Sequence, residues 1–496
     1  VALPPTPQGD YAEQVLDGQQ RLTSLYAAAH GLKLERTSGS SEDFASICVD
    51  LDANADTETP IALPQKPQET VDGDRFVRLI DVLKGDFQFL AKLTDARRDQ
   101  LQTYSRRIKE YRFSVILIQD CPIDVATEIF TRINVTGKPL SVFEIMVAKT
   151  YDHESGFDLA QKYLQLMEDL QAVGYETIPS SAVLQLAALL ICGEARKQDI
   201  LRLPTEKFRE AWPRVDDAVK SACDYFRTVF RLPASKLLPY GSLIIPFAAF
   251  FDKHPDNPSG EQIPRLRELF WRISLTGRYT SSVENKLAQD FRKVLAIAEG
   301  EDPEYDVSFG VDVSAEAIST HGHFRASRSF IKAMLCLLAF QQPRSFDNDG
   351  VVRIANDWLK RANSRNYHHF FPKSVLKKAG VDYHAVNHIA NITIVDDFLN
   401  KKKIKTRWPS DYMNEFAKHN SSIDDTMSTH LIDLDEGIWD DDFDRFFNAR
   451  CNWMSNVLAM WLPVRPIDEE GRGLTFDDVD PDAVADDYND EAVESE

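Results

Sequence analysis

The chain has 496 residues, 43% of them hydrophobic and 27% charged, with a formal net charge of −21, an ordinary globular composition and enough length for two or three domains. The negative sum argues against nucleic acid, whose phosphates are met by Lys and Arg, yet thirteen acidic residues against one arginine from Asp468 to Glu496 carry −12 of it and leave about −9 for the rest. No apolar run reaches the roughly 18–20 residues of a membrane helix, VALPPTPQGD lacks a signal-peptide pattern, and six cysteines show no CxxC spacing, so the expectation is a cytoplasmic protein with reduced thiols.

In chain order, residues 1–141 mix short β-like runs, ASICVDLD at 45–52 and FSVILIQD at 113–120, with helical stretches, which predicts a small α/β domain. Residues 38–74 are rich in Ser, Asp, Thr and Pro and should hold a strand between exposed loops. VLDGQQRLTSLY at 15–26 reads as a strand end, a tight turn at Asp17–Gly18 and a helix from about Gln20. Such a turn aims backbone N–H groups at whatever lies over the helix start, with Arg21 as a bidentate phosphate partner; a plain turn and cap is the simpler reading. From 142 to 340 apolar residues recur at three and four, as in FDLAQKYLQLMEDLQAVG, which predicts a helical domain. LLPYGSLIIPFAAFF at 237–251 is too short to span a bilayer and contains two prolines. The character changes again at 366–407, where strand-like NITIV at 391–395 precedes an Asn- and Lys-rich stretch, with helices such as the amphipathic FFNARCNWMSNVLAMWL at 446–462 around it. Residues 467–496 read as a disordered acidic tail.

RNYHHFFPKS at 365–374 sets two histidines before two phenylalanines and a proline, and NHIANITIVDDFLNKKKIK at 387–405 follows with Asn391, Asn400 and then lysines. Taken singly these are ordinary packing, turn and cap residues. Together they match the needs of phosphodiester hydrolysis near neutral pH. A base must activate water, a task that suits histidine with its ordinary pKa of about 6.5, and a cation must stabilise charge on the phosphate and leaving oxygen. Hard ions such as Mg²⁺ are often held by only one or two protein groups. HHxxP, then NxxxN before a short apolar strand, then N followed by lysines, resembles the HNH (ββα-metal) nuclease motif. The resemblance implies His368 and Asn400 as metal ligands, His369 as general base and Asn391 as the brace of the loop. Aspartate is commoner at the first position of the pair in that family, and a neutral imidazole is a softer ligand, which admits Mn²⁺ as well as Mg²⁺. Adjacent side chains in a regular strand face opposite ways, so the pair is expected to need a turn or bulge at 368–369. His384 and His388 match nothing essential in the motif and are read as surface or outer-layer residues. Lys373, Lys401, Lys402, Lys403 and Lys405, with Lys377, Lys378 and Arg407 close in sequence, are expected to flank the site and contact DNA phosphates; charge runs are more commonly solvated faces.

DGQQRLTSL at 17–25 resembles the signature of the N-terminal domain of GmrSD-type restriction enzymes, a ParB/sulfiredoxin-like fold. ATEIFTRINVTGKPLSVFE at 126–144 is similar to a second segment of that domain, and LPYGSLIIPFAAFF and FWRISLTGRYTSS resemble the linking helical bundle. With the HNH motif at the carboxy end the order of parts is the same, and the resemblance covers nearly the whole chain apart from the tail. It implies an amino-terminal domain that binds and hydrolyses nucleoside triphosphate, with turnover coupled to DNA cleavage. Asp17, Gly18, Gln19, Gln20 and Arg21 would line its nucleotide pocket, with Arg132, Asn134 and Gly137 near it; without the resemblance, 134–137 is simply a loop between helices. The family carries a longer upstream stretch than the sixteen residues that precede Asp17, so the domain is read as N-terminally incomplete.

The fold class expected is therefore α+β, mainly helical: a partial ParB/sulfiredoxin-like domain over 1–141, a helical linking domain over 142–340, an HNH nuclease domain over 341–466 and the tail. The function expected is an NTP-dependent, modification-sensing DNA endonuclease of a prokaryotic anti-phage defence system, using a divalent metal and acting on DNA, including modified phage DNA. Two alternatives stay open: a non-catalytic NTP-dependent DNA-binding sensor with a decayed nuclease site, and an HNH nuclease acting on RNA.

Overall fold

The computed structural model describes residues 15, 18–35, 41–53, 61–62, 74–85, 87–115, 141–356, 367–395, 404 and 406–470. The chain divides into two compact units, residues 1–139 and 140–496. Its described residues are mainly helical with a few small sheets, so the α+β, mainly helical expectation holds.

In the first unit, helix Gln19–His30 ends at Gly31, which takes a left-handed conformation (φ 58°) and donates its N–H back to the last turn. Strands β1 (Lys33–Glu35) and β2 (Ser41–Asp43) form an antiparallel pair. Strand β3 (Cys48–Asp50) is the centre of a second sheet, flanked antiparallel by β4 (Ile61–Ala62) and β5 (Phe76–Arg78). Helix Asp95–Lys109 starts at Thr94, whose hydroxyl accepts from the Arg97 N–H. Its Leu101 and Tyr104 close a small core with Val49, Leu51, Val77, Val82 and Leu93. The strand expected at 113–120 does not form over 113–115, where Phe113 and Val115 are exposed; residues 116–120 lie outside the described residues.

The second unit is built on helices whose apolar stripes converge on one large core. Helix Ile244–Lys253 is buried around most of its surface, which explains a sequence, IIPFAAFF, with no polar side until its end. Its Phe247 packs among Phe226, Phe230 and Phe270 of neighbouring segments. No helix among the described residues is long and apolar enough to cross a membrane. Strands β6 (Tyr367–His369) and β7 (Ile392–Ile394) form a two-stranded sheet whose Tyr367, Ile392 and Ile394 join the large core, and a second core gathers Phe346, Phe370, Phe371, Tyr412, Phe416 and Phe446. The two phenylalanines after the histidine pair are core residues. The five described cysteines are free thiols, and Cys121 lies outside the described residues.

The start of the acidic tail needs correcting. Residues Pro466–Glu470 are helical, and Asp468, only 8% exposed, accepts from both ends of the Arg272 guanidinium (2.7 and 3.2 Å). Glu268 also bonds Arg272, at 2.7 Å, and takes a bidentate pair from Arg465 at 2.6 and 2.8 Å. Composition alone assigned Asp468 to solvent, whereas a buried arginine 196 residues upstream requires its charge.

Candidate active site

The hairpin is held in register by paired backbones: Tyr367 faces Ile394, His368 faces Thr393 and His369 faces Ile392. Directly opposed residues of an antiparallel pair share a face and neighbours along a strand alternate. Tyr367, His369, Ile392 and Ile394 therefore share one face, and His368 and Thr393 the other. The turn or bulge expected at 368–369 is absent, because β6 pairs one-to-one through His369 and the chain bends only afterwards, at Phe370 and Phe371. The structure thus separates the two histidines. His368 is 4% exposed, and its carbonyl accepts from the Thr393 hydroxyl at 3.2 Å.

His369 is half-buried, with Nε2 3.0 Å from Asn387 Oδ1. The amide of Asn387 sits between two fixed groups, since its Nδ2 donates to the Phe324 carbonyl at 3.1 Å. A carbonyl only accepts, so the Asn387 oxygen is the atom turned to His369 and must accept from Nε2–H. The lone pair of a neutral His369 is then on Nδ1. Burial pushes its pKa down to about 3, the Lys373 ammonium adding to the effect and the bond to Asn387 opposing it. The ring is neutral at physiological pH. Asn387 was left out of the site inferred from sequence, although it is the first asparagine of the NxxxN spacing that marked the motif.

Asn391 is wholly buried and spends its amide on the loop after the pair: Oδ1 accepts from Phe371 N–H at 2.8 Å, and Nδ2 donates to the carbonyls of Phe371 and Val386, both at 3.0 Å. From helix Phe443–Trp461, Arg450 donates to the carbonyls of Ala390 (2.8 Å) and His430 (3.0 Å). It is buried, has no carboxylate within ion-pair distance among the described residues, and burial pushes its pKa down to about 9.

Of the two readings expected from sequence, surface or a layer behind the site, the structure excludes the surface for His388, which supports the site loop from behind. At 2% exposed, it accepts from Ala390 N–H through Nδ1 (3.0 Å) and donates from Nε2 to the Ile318 carbonyl (3.2 Å). A Cβ at Gly322 would overlap its ring, so only glycine fits there. His384 stacks edge-on with His323, ring centroids 4.8 Å apart.

Lys373 opens helix Lys373–Lys378 immediately after the hairpin. Asn400, Lys401, Lys402, Lys403 and Lys405 lie outside the described residues, as do Asp17, Arg132 and Asn134. No group of three or more His, Cys, Asp or Glu among the described residues could hold a metal ion. His368 also faces away from His369, so the described donors do not fit a metal held beside His369.

At the other expected site, Gly18 adopts a left-handed conformation (φ 81°) immediately before helix Gln19–His30, its carbonyl accepting from Leu22 N–H at 2.8 Å. A Cβ at Gly18 would lie 3.8 Å from the Arg21 guanidinium, which folds back over the turn. Gln20 and Arg21 are exposed. This leaves the first turn without a side-chain cap, the arrangement that offers N–H groups to an anion.

Comparison with known proteins bears on the amino-terminal part. The model of the GmrSD restriction endonuclease N-terminal domain matches residues 2–151. Over 445 residues the chain is 24% identical to an uncharacterized protein of Methanocaldococcus jannaschii, covering 82% of this chain and 73% of that one. The amino-terminal segment is thus similar to a restriction endonuclease domain, and that match ends well before the histidine hairpin.

Proposed function

We propose that this chain is a restriction endonuclease-like defence protein that hydrolyses DNA phosphodiesters at the histidine hairpin. The observation that carries the reading is the His369–Asn387 contact, which leaves Nδ1 of a neutral imidazole as a proton acceptor on a loop braced by Asn391. In the reaction, His369 Nδ1 takes a proton from water as the water oxygen attacks phosphorus and the ester oxygen leaves. An imidazole with a pKa of about 3 is a weak base; a phosphate anion alongside raises it by favouring the imidazolium. Charge on the phosphate and leaving oxygen calls for a cation such as Mg²⁺ or Mn²⁺, but His368, on the opposite strand face, is not placed to hold one beside His369. Residues 341–466 form the nuclease domain in this reading, 142–340 the linking domain and 1–141 the sensing domain. Nucleoside triphosphate binds at the Gly18 turn, with Asp17, Gln19, Gln20 and Arg21 about it and Arg132 and Asn134 near, and its turnover licenses cutting of modified DNA. The match over residues 2–151 supports this part.

A second reading, a DNA-binding sensor with a decayed nuclease site, is favoured by the one-to-one register that turns His368 from His369. Plasmid relaxation by wild type and His369→Ala decides between them, in Mg²⁺, Mn²⁺ and EDTA, with and without triphosphates and on modified and unmodified DNA. Metal-dependent nicking reduced on the order of a hundredfold or more in the variant is the expected result. Absence of nicking under every condition sinks the nuclease, and preferential cutting of labelled RNA in competition moves the substrate to RNA.

A further inference from the structure

The site loop is bound to a segment far upstream of it in sequence. Between helices Ala315–His321 and Ser329–Phe340, the chain runs alongside residues 387–389 as an added antiparallel bridge, His323 opposite His388. Phe324 N–H donates to the Asn387 carbonyl at 2.9 Å and Ile389 N–H to the Gly322 carbonyl at 2.8 Å. The Phe324 ring meets Tyr367 at 5.1 Å on the same strand face as His369. The His369–Asn387 pair is therefore adjoined by the helix opened by Lys373, which follows it in the chain, and by the segment His321–Arg328, bonded to Asn387.

Both are free of carboxylates. Residues 317–346 contain Arg325, Arg328, Lys332 and Arg344 and neither Asp nor Glu, and residues 367–381 contain Lys373, Lys377 and Lys378 and neither Asp nor Glu. In a chain with 78 acidic residues, the first stretch is hydrogen-bonded to Asn387 and Ile389 of the site loop and meets the second through the Phe324 and Tyr367 rings, which brings two acid-free, cation-bearing segments together at the candidate base. Arg325 is exposed and Arg328 half-exposed. The ammonium of Lys332 has no ion-pair partner among the described residues, and burial lowers its pKa.

We propose that the segment His321–Arg328 is the second wall of a nucleic-acid groove, with Arg325 and Arg328 contacting the phosphates that flank the bond presented to His369. This rests on the reading of the hairpin as a nuclease site. It moves part of the binding surface into residues that sequence assigned to the linking helices. The contacts are to backbone phosphates, so they act on affinity independently of base sequence.

The test measures binding of a fluorescently labelled DNA duplex by the full chain across a range of salt, together with plasmid nicking. Wild type is compared with Arg325→Ala/Arg328→Ala, Arg325→Lys/Arg328→Lys and His369→Ala. Loss of two phosphate contacts should make the slope of log affinity against log salt shallower by about 2 and weaken binding about tenfold or more at low salt, while the lysine pair restores both. His369→Ala should bind as wild type does. An alanine pair that melts with wild type and binds with an unchanged slope overturns the groove and leaves the nuclease reading intact. A lysine pair that fails to restore binding overturns phosphate contact as the role. If His369→Ala nicks normally, the nuclease reading falls and the proposal with it.

Discussion

At His369 the tautomer follows from three linked groups: the Phe324 carbonyl can only accept, so Asn387 turns its NH₂ there and its oxygen to the ring. Removing that amide frees the imidazole to rotate and to exchange tautomers without removing the proposed base. Asn387→Ala should therefore lower nicking roughly tenfold to a hundredfold, less than the loss in His369→Ala, with DNA affinity unchanged. Single-turnover nicking alongside duplex binding checks this, and equal losses in both would reduce Asn387 to a folding residue. A sequence contains both asparagines of NxxxN but not their division of labour. Asn391 and Asn387 are equivalent as letters, and only their partners make one the brace of the Phe371 loop and the other the partner of His369.

At the level of elements, the 315–324 segment and the hairpin are pinned through His388, which bonds Ala390 and Ile318 at once. Burial pushes its pKa down to about 4, whereas the unfolded chain titrates near the ordinary value of about 6.5. The unfolded state therefore takes up a proton first as pH falls. The stability this residue contributes is complete above about pH 6.5 and is lost as pH falls towards about 4, at up to about 1.4 kcal/mol per pH unit. Urea midpoints at pH 7.5 and 5.5 should differ in wild type and differ less in His388→Gln, which keeps a donor and an acceptor but does not titrate. The same midpoint shift in both proteins would refute the assignment. Sequence periodicity could not reveal this pin, because a histidine four residues before a buried strand looks the same whether its ring meets water or a carbonyl of another helix.

For the whole molecule, the decisive contact is between distant parts of the second unit. Arg272 is buried between Glu268 and Asp468, with the Phe309 and Pro463 carbonyls completing its donors. Removing one partner strands the other's charge, so Asp468→Ala should destabilise by about 3–5 kcal/mol, whereas replacing the pair together, Arg272→Met with Asp468→Leu, should cost less than the two single changes summed. Denaturant melts of the four proteins in the cycle measure this. Simple additivity would mean that Glu268 and the carbonyls, not Asp468, satisfy Arg272.

What sequence alone determined is what depends on near neighbours. Apolar spacing of three and four marks the helices from 142 onwards, a short apolar run marks β7, and Asp-Gly before QQR marks the turn, with Gly18 in the left-handed region where a Cβ is unfavourable. These are local because backbone conformation and one-sided burial are set within a turn or a strand. Tertiary structure decided the rest. It set the faces of the histidine pair, the tautomer of His369, the burial of Asp468 and the pairing of Phe324 with the site loop. Each of these joins groups that lie far apart in sequence, and the partner that satisfies a buried donor or charge is selected by packing across that gap rather than by any pattern along the chain.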